Sequence, residues 1–517
     1  MSTLLLRGGP VHLPDGAPPA TALLVDRATG TVAWTGEAAD APDADEVVDL
    51  DGALVLPGFC DAHVHLTMTG QGLDGVDLSG TTSVAEALAL VEQTARRVRG
   101  RPIYAHSWDE TRWAEQRPVT SAELDRASYG GVVYMPRVDA HSASVSTAMA
   151  TIARVRDLDG WDGTGVASRD AFAAVTNAFT SSVTQADRER HVGLALANAA
   201  RHGITLLHET GAPHLTSHDD LRSVLEVGAP RGVPDVVTYW GELADDADAV
   251  AELTSYLGVL GLAGDLCADG SFGSLTAHLG QPYAGTDERG YAYLSVEQVR
   301  DHVVACTRAG VQAGAHVIGD AALRTMADGF RAAAEIVGVE ALRAVRHRWE
   351  HVELPDADVL ATMADLGIWA SVQPMFDALW GGADGMYATR LGRERALAAV
   401  PLRSMVDAGV RVALGSDSPV TPMGPWAAVR AAVRHHNPDQ RLTVAEAVAA
   451  HTRAGYELAG LPGGELRVDG PATLVVWDDG TGPPPPLEDG LPVLDDHLPV
   501  ARTTLVAGET AYQREGA

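Results

Sequence analysis

Between about residues 57 and 461, short apolar runs alternate with longer, alanine-rich stretches. Short apolar runs are typical of buried strands in a parallel sheet, and the alanine-rich stretches are typical of the helices that cover such a sheet. Eight runs follow this pattern, namely LVLPGFCDAHVH, GITLLHE, DVVTYW, GDLCADG, VQAGAHVIGD, VRHRWEH, GIWASVQP and VRVALGSD. They predict an α/β fold with a closed (β/α)8 barrel, and an open doubly wound sheet is the alternative.

The two ends of the chain show a different pattern of short strands and turns. The segments TLLLRGG, ALLVD and TVAWTG lie near the start, and ATLVVWDDG and ARTTLVAGETAY lie near the end. Short strands bounded by glycine and aspartate at both ends predict one small β-sandwich assembled from both termini. We therefore expect a β-sandwich from residues 1–56 and 462–517, and a barrel from 57–461.

The first two barrel runs are separated by about residues 67–190, far more than one helix requires. We interpret this segment as an insertion after the first strand, with strands and helices of its own. Active sites of such barrels lie at the C-terminal ends of the strands. The insertion is therefore expected to cover the mouth of the barrel, where a substrate pocket belongs.

Charge and composition narrow the classes of function. The formal net charge of −31 argues against a nucleic-acid partner and against anionic membranes, since both require a basic surface. All 38 basic residues are arginine, so no lysine can form a Schiff base, a P-loop contact or a carbamate. Three widely spaced cysteines, without a basic leader or a long apolar run, favour a soluble cytoplasmic protein.

Metal-ligating residue types end four of the predicted strands. His63 and His65 close the first run, His316 the fifth, His351 the sixth and Asp417 the eighth. Alternate side chains of a strand point to the same face, so the first two imidazoles are expected to converge. Imidazole and carboxylate together suit zinc, and also iron, manganese or nickel. Each residue alone has an ordinary explanation, as a packed histidine or an aspartate in a turn.

Several longer motifs occur in a fixed order along the chain. They are LPGFCDAHVHL, DAHSASVS, GITLLHE, ADGSFGSLTA with a following PY, QAGAHVIGDAA, HRWEH, SVQP and GSDSPV. Together they resemble the amidohydrolase superfamily, and in particular the branch that includes N-substituted formamide deformylases. The resemblance extends from Leu4 to Tyr512.

The resemblance implies a metal-dependent hydrolase with a (β/α)8 barrel and a β-sandwich built from both termini. It implies that His63, His65, His316 and His351 bind a divalent metal. Asp417 would touch the metal and manage the protons of the attacking water. His316 or His351, beside the metal, would help to polarise the substrate carbonyl.

The fourth run departs from the family pattern. Many relatives carry VKxFxDG there, with a lysine that bridges two metals once it is carboxylated, whereas this chain reads GDLCADG. Asp265 could bridge two metals directly, the thiolate of Cys267 could serve instead, or the site could hold one metal. We favour one ion, most simply zinc, and Glu209 is a further candidate ligand. Asp265 and Cys267 also have ordinary explanations, as a polar barrel residue and a small buried hydrophobe.

The predicted reaction is hydrolysis of a C–N bond in a small amide, formamide or cyclic amide. The same barrel could instead host a metal-dependent lyase, isomerase or deaminase, or a catalytically silent relative, because a fold does not fix the chemistry. His141 and Arg137 from the insertion, Gln373 at the end of the seventh run, and Trp380 are candidate substrate contacts. A homodimer is compatible with the sequence.

Overall fold

The structure is a computed structural model of the 517-residue chain, and it describes residues 3–14, 17, 20–98, 100–480 and 486–515. The N-terminal strands are β1 (Thr3–Val11), β2 (Ala20–Asp26), β3 (Thr31–Gly36), β4 (Glu46–Asp49) and β5 (Leu54–Pro57), and β6 (Phe59–Val64) follows directly. The insertion forms β7 (Val76–Asp77), β8 (Ile103–His106), β9 (Val133–Pro136), β10 (Ser142–Val145) and β11 (Val166–Ser168). Next come β12 (Ile204–Gly211), β13 (Asp235–Trp240), β14 (Gly261–Leu262), β15 (Gln312–Val317), β16 (Arg348–His351), β17 (Trp369–Val372) and β18 (Arg411–Leu414). The C-terminal strands are β19 (Leu474–Asp478), β20 (Leu487–Glu488), β21 (Leu491–Pro492), β22 (Val500–Val506) and β23 (Glu509–Gln513).

The helices of the insertion and its borders are α1 (Leu66–Asp74), α2 (Val84–Val98), α3 (Ser121–Ala127), α4 (Thr147–Ile152), α5 (Arg169–Ser182) and α6 (Gln185–Arg201). Later helices are α7 (His218–Gly228), α8 (Ala247–Leu257), α9 (Val296–Ala309), α10 (Asp320–Val337), α11 (Val339–Val345), α12 (Ala357–Leu366) and α13 (Pro374–Trp380). They continue with α14 (Met386–Leu391), α15 (Arg393–Ala398), α16 (Leu402–Asp407), α17 (Pro425–Val433), α18 (Val444–Ala450) and α19 (Arg453–Ala459). Among the described residues, none of these helices combines the length and hydropathy needed to cross a lipid bilayer.

Eight parallel strands form the central barrel, in the order β6-β12-β13-β14-β15-β16-β17-β18. The first and last strands meet through backbone hydrogen bonds just beyond the end of β18. The N–H of Asp417 donates to the carbonyl of His63 (2.8 Å), and the N–H of His65 donates to the carbonyl of Ser418 (2.9 Å). The predicted (β/α)8 barrel is therefore confirmed, and the open-sheet alternative is excluded.

The fourth barrel strand differs from the prediction. It is β14 (Gly261–Leu262), whereas the predicted run GDLCADG follows it as an extended loop. Gly264 ends the strand with a left-handed φ of +75°, a conformation that favours glycine. The loop then runs beside β15, since His316 donates to the carbonyl of Leu266 (3.0 Å) and Ala268 donates to that of His316 (2.9 Å).

Strands from both termini share one sheet, with the order β23-β22-β19-β5-β1-β2-β3 and β4 paired to β1. The sheet folds back on itself, because β3 meets the segment before β19 through hydrogen bonds from Ala472 to Gly30 (2.8 Å) and from Val32 to Gly470 (2.9 Å). A shared apolar core contains Leu23 and Leu505. The predicted β-sandwich from both termini thus takes the form of one continuous, folded sheet. The exact domain boundaries, 1–56 with 462–517 and 57–461, stay a prediction.

The insertion is a small three-layer unit built on the sheet β11-β10-β9-β8-β7. Alternate residues of β8 and β9 pack into different cores, as the two faces of a sheet require. Ile103 and Val133 pack with α2 and α3, whereas Tyr104 and Tyr134 pack with α4 and α5. Helices cover both faces of this sheet, so the insertion forms a packed unit above the barrel.

Removal of Trp477 is expected to loosen the joint between the terminal sheet and the barrel. The Trp477 ring lies 5.7 Å from Phe59 and 5.5 Å from Trp426, and Trp477 is 2% exposed. Trp477→Ala should lower the free energy of unfolding by about 3–5 kcal/mol, which the denaturant midpoint would report. The control Tyr256→Ala, at a residue 67% exposed, should change it by no more than about 0.5 kcal/mol. Equal midpoints for the two variants would contradict the packing role of Trp477.

Candidate metal centre

Two histidines and two aspartates from three places in the barrel meet at its C-terminal mouth. His65 Nε2 lies 3.2 Å from Asp265 Oδ2 and 3.2 Å from Asp417 Oδ1. His63 Nε2 lies 3.4 Å from Asp265 Oδ1 and 3.5 Å from Asp417 Oδ1. His351 joins them, with its ring centre 5.0 Å from that of His63. All five residues are buried.

The donor atoms form two overlapping sets that fit a metal ion. One set is His63, His65 and Asp417, and the other is His63, Asp265 and His351, with the ligand atoms of each set within 4.8 Å of one another. Within the described residues, His63 Nε2 and Asp265 Oδ1 are buried without a hydrogen bond. Buried polar atoms without a partner are costly, and a cation between them would satisfy both. Imidazole nitrogen and carboxylate oxygen are ligands of zinc and related divalent ions.

Electrostatic coupling within this group is strong. Burial disfavours the charged imidazole of His63, but the nearby Asp417 and Asp265 outweigh burial and raise the pKa of His63 well above its ordinary value. Burial likewise favours a neutral Asp265, yet His65 and His63 lower the pKa of Asp265 well below its ordinary value. Acids and imidazoles thus hold each other in charged forms. A divalent cation would replace the protons and bind the imidazoles in their neutral form.

Local backbone distortions aim these side chains. Along β6 and β12, Leu207 pairs with Asp61 and Glu209 pairs with Val64, so β6 contains one extra residue around His63. A bulge of this kind re-aims a side chain, and bulges are frequent beside active sites.

The backbone is left-handed at two residues that are not glycine at the end of β16, where φ is +70° at His351 and +49° at Val352. Trp349 packs on Phe330 of α10, with ring centres 5.3 Å apart. Strand alternation would therefore turn His351 toward the helical layer as well. The left-handed turn instead directs His351 to the mouth. Such conformations cost about 1–3 kcal/mol each and cluster at functional sites.

His316 lies beside the metal group rather than within either ligand set. Its ring centre is 4.5 Å from that of His351, and its Nε2 is 3.2 Å from the carbonyl of Gly270. Burial, together with His351 and His141, lowers the pKa of His316 well below its ordinary value. The carbonyl of Gly270 can only accept, so the N–H of a neutral His316 lies on Nε2 and donates to it, which leaves Nδ1 as an acceptor.

A buried ion pair contacts His63 at Nδ1, the ring nitrogen that faces away from the metal group. This pair was not predicted from the sequence. His63 Nδ1 lies 2.9 Å from Glu350 Oε2, and Glu350 receives two hydrogen bonds from Arg348, of 2.6 and 2.8 Å. Arg348 also donates to the carbonyl of Ala62 (2.6 Å). The sequence feature that could have revealed this pair is the spacing of Arg348 and Glu350 by two residues, which places both on one face of the strand that ends in His351.

The remaining candidate ligands lie close by but outside both sets. Glu209 Oε2 accepts from the N–H of Leu66 at the start of α1 (2.6 Å), and burial raises the pKa of Glu209 to about 7. Cys267 Sγ lies 3.7 Å from His214 Nε2, and burial raises the pKa of this thiol well above its ordinary value. Their roles as ligands stay predictions.

The candidate substrate residues occupy different surroundings. Arg137 is buried in ion pairs with Asp109 (3.1 Å), Glu110 (2.8 Å) and Asp139 (3.0 Å) of the insertion. Gln373 Oε1 lies 2.8 Å from His351 Nδ1, which leaves Nε2 of His351 to face the centre. His141, with its ring 5.6 Å from that of His316, and Trp380 line the cavities described next.

A cavity of about 510 Å³ opens above the metal group. The insertion contributes Asp139, His141 and one face of α5 to its wall. Asp139 ties the insertion to the loop after β14, since its Oδ2 accepts from Ser274 Oγ (2.7 Å) and Ser271 Oγ (3.3 Å). Apolar side chains also line the cavity, namely Met68, Phe172, Leu215, Leu266 and Val420. The insertion therefore covers the barrel mouth as its position in the sequence predicted.

Comparison with known proteins agrees with this fold. The model of the "Amidohydrolase family" matches residues 46–512, and the chain belongs to that family. It is 26% identical over 476 residues to an N-substituted formamide deformylase of Arthrobacter pascens, covering 85% of this chain and 86% of the relative. It is also 26% identical over 440 residues to the Arabidopsis thaliana protein LONG AFTER FAR-RED 3, covering 78% and 74%. An uncharacterized metal-dependent hydrolase from Pyrococcus horikoshii OT3 shares the fold, with a TM-score of 0.72, 22% identity and coverage of 92% and 97%.

Loss of the Glu350 charge is expected to weaken metal binding without removing a ligand. Glu350→Gln keeps the shape of the side chain but weakens its hold on His63 Nδ1. Loss of such a supporting group typically lowers metal affinity by about 10–100-fold. Titration of the apoprotein with zinc against a competing chelator would measure the change. The same substitution at Glu242, which contacts Trp240 rather than the centre, should leave affinity unchanged. Equal affinity for Glu350→Gln and wild type would contradict the supporting role.

Proposed function

We propose that the protein is a metal-dependent hydrolase that cleaves a C–N bond in a small amide, formamide or cyclic amide. The observation that carries this proposal is the buried group of two imidazoles and two carboxylates at the floor of the cavity. Two atoms of that group, His63 Nε2 and Asp265 Oδ1, are buried without a hydrogen bond within the described part of the chain. The amidohydrolase family and the name of the Arthrobacter relative support the same class of reaction.

We propose one zinc ion rather than two. The two ligand sets share His63, so they describe neighbouring arrangements around one position. Asp265 would contribute a carboxylate where relatives carry a lysine, and its Oδ2 lies 3.2 Å from His65 Nε2, which supports this role. A zinc ion bound there would polarise an amide carbonyl and lower the pKa of water from 15.7 toward about 7.

We propose that Asp417 manages the proton. Its Oδ1 lies 3.2 Å from His65 Nε2, and the residue lines the floor of the large cavity. From there Asp417 would accept a proton from the attacking water and deliver it to the leaving nitrogen, a role in which carboxylates contribute about 10²–10⁴-fold. Closure of the barrel fixes the position of Asp417 through its backbone hydrogen bond to His63 (2.8 Å).

An imidazole beside the centre can bind the substrate oxygen. His316 and His141 both line the large cavity, and their ring centres are 5.6 Å apart. An N–H of His141 would stabilise the negative charge that develops on the carbonyl oxygen, whereas the N–H of a neutral His316 already donates to Gly270. His351 would bind the metal through Nε2 while Gln373 holds its other nitrogen at 2.8 Å.

Replacement of Asp417 is expected to abolish most turnover. Asp417→Asn keeps the size of the side chain but removes its capacity to accept a proton, so kcat should fall by at least about 100-fold with zinc in excess. Assay of N-acyl and lactam substrates would measure it. The control Asp358→Asn changes a carboxylate on the outer surface, in an ion pair with Arg331 (2.6 Å), and should keep normal turnover. Near-wild-type turnover by Asp417→Asn would defeat the role proposed for this residue.

Metal content tests the single-ion proposal independently of any substrate. Elemental analysis of the zinc-loaded protein should give one ion per chain, and chelation should abolish turnover until zinc is restored. Asp265→Ala removes one ligand and should lower zinc affinity, whereas Cys267→Ala should not. Two ions per chain, or loss of zinc only in Cys267→Ala, would contradict this arrangement.

A further inference from the structure

A second, smaller cavity of about 40 Å³ lies beside the metal centre and adjoins the large one. His316, His351 and Asp417 line both cavities, so the two meet where the reacting bond would lie. By the same measure of volume one water needs about 10–15 Å³, so the side cavity has room for about three or four non-hydrogen atoms.

Aromatic rings and polar side chains together line the side cavity. The rings are Phe272, Phe376, Trp380 and Tyr387, and the polar groups include Arg137, Asp139, Ser271 and the carboxyl group of Glu353. Glu353 is only 2% exposed. One of its oxygens, Oε2, is buried without a hydrogen bond among the described residues, although Tyr387 bonds the carboxyl group. A buried carboxyl oxygen without a partner is costly unless a ligand satisfies it.

Backbone strain places Glu353 beside the metal centre. The left-handed residues His351 and Val352 turn the chain immediately before Glu353, with φ of +70° and +49°. A β-branched residue such as valine rarely adopts this conformation. The N–H of Val400 holds the backbone carbonyl of Glu353 at 2.7 Å, which fixes the turn from the other side. One distorted segment thus positions both a candidate metal ligand and this free acceptor.

We propose that the side cavity is a substrate subsite for a short arm, about three non-hydrogen atoms long, that ends in a hydrogen-bond donor bound by Glu353. The donor is an amine or a hydroxyl group, and an alkyl arm of equal length leaves the carboxyl oxygen unsatisfied. This inference rests on the proposed function. The arm is the substituent on one side of the cleaved amide bond, and an apolar substituent on the other side fills the large cavity.

Three matched probes test the subsite by binding alone. N-(2-aminoethyl)-, N-(2-hydroxyethyl)- and N-propylbenzenesulfonamide have arms of equal length, and their sulfonyl group is not cleaved as an amide would be. Calorimetric titration of the zinc-loaded wild-type protein should show the first two binding about tenfold tighter than the propyl compound, the ratio that one buried hydrogen bond gives. Equal or tighter binding of the propyl compound would overturn the subsite, and this comparison needs no variant.

Glu353→Gln identifies the acceptor. Its amide can still accept from Tyr387, but it then presents an NH₂ group to the arm, so the preference for the amine over the propyl probe should fall to near one. Glu242→Gln, the matched control outside both cavities, should retain the tenfold preference. A Glu353→Gln protein with wild-type zinc content and unfolding midpoint that retains the preference would overturn the assignment.

The corresponding benzamides separate this inference from the proposed function. Hydrolysis of the benzamides without any preference among their arms would overturn the subsite and leave the hydrolase intact. Preferential binding of the amine and hydroxyl probes without hydrolysis of any amide would support the subsite and overturn the proposed hydrolase.

Discussion

Closure of the barrel is the constraint on which the site depends. The backbone of His63 and His65 on the first strand bonds to that of Asp417 and Ser418 after the last strand, at 2.8 and 2.9 Å. In an open sheet of eight strands, with neighbours about 4.8 Å apart, the same residues would lie about 34 Å from each other. The two histidines and Asp417 are therefore neighbours only because the sheet returns to its first strand.

Closure brings together groups that are costly to bury, and the surrounding barrel compensates for them. Arg348 and Glu350 are fully buried, and the arginine also stacks on Tyr239, with its guanidinium carbon 4.3 Å from the ring centre. Pairing with Arg348 and His63 overcomes burial and lowers the pKa of Glu350 well below its ordinary value. A charged Glu350 keeps a proton on His63 Nδ1 and leaves Nε2 directed at the metal position. Buried residues in the interior of the barrel thus determine which nitrogen of His63 is available at the mouth.

The barrel and several members of the site could be predicted from the sequence, because strand-end histidines and apolar runs carry strong local signals. The position of β14 could not be predicted. The strand is followed by a left-handed turn at Gly264, and the pattern of apolar residues does not reveal such a turn. The direction of His351 was equally hidden, since alternation on β16 would turn it toward the helices. The sequence left three possibilities open for the fourth strand, and the contact of the Asp265 carboxylate with His65, at 3.2 Å, could not be read from it. Glu350 was overlooked because its role depends on His63, which lies 287 residues earlier.

X-ray absorption at the zinc edge reports which atoms hold the metal. One zinc per chain is expected, surrounded only by nitrogen and oxygen at about 2.0–2.2 Å, with the scattering pattern of imidazole ligands. A sulfur ligand at about 2.3 Å would assign the site to Cys267 instead. A spectrum without imidazole scattering would show that His63 and His65 do not hold the metal and would contradict the proposed metal centre.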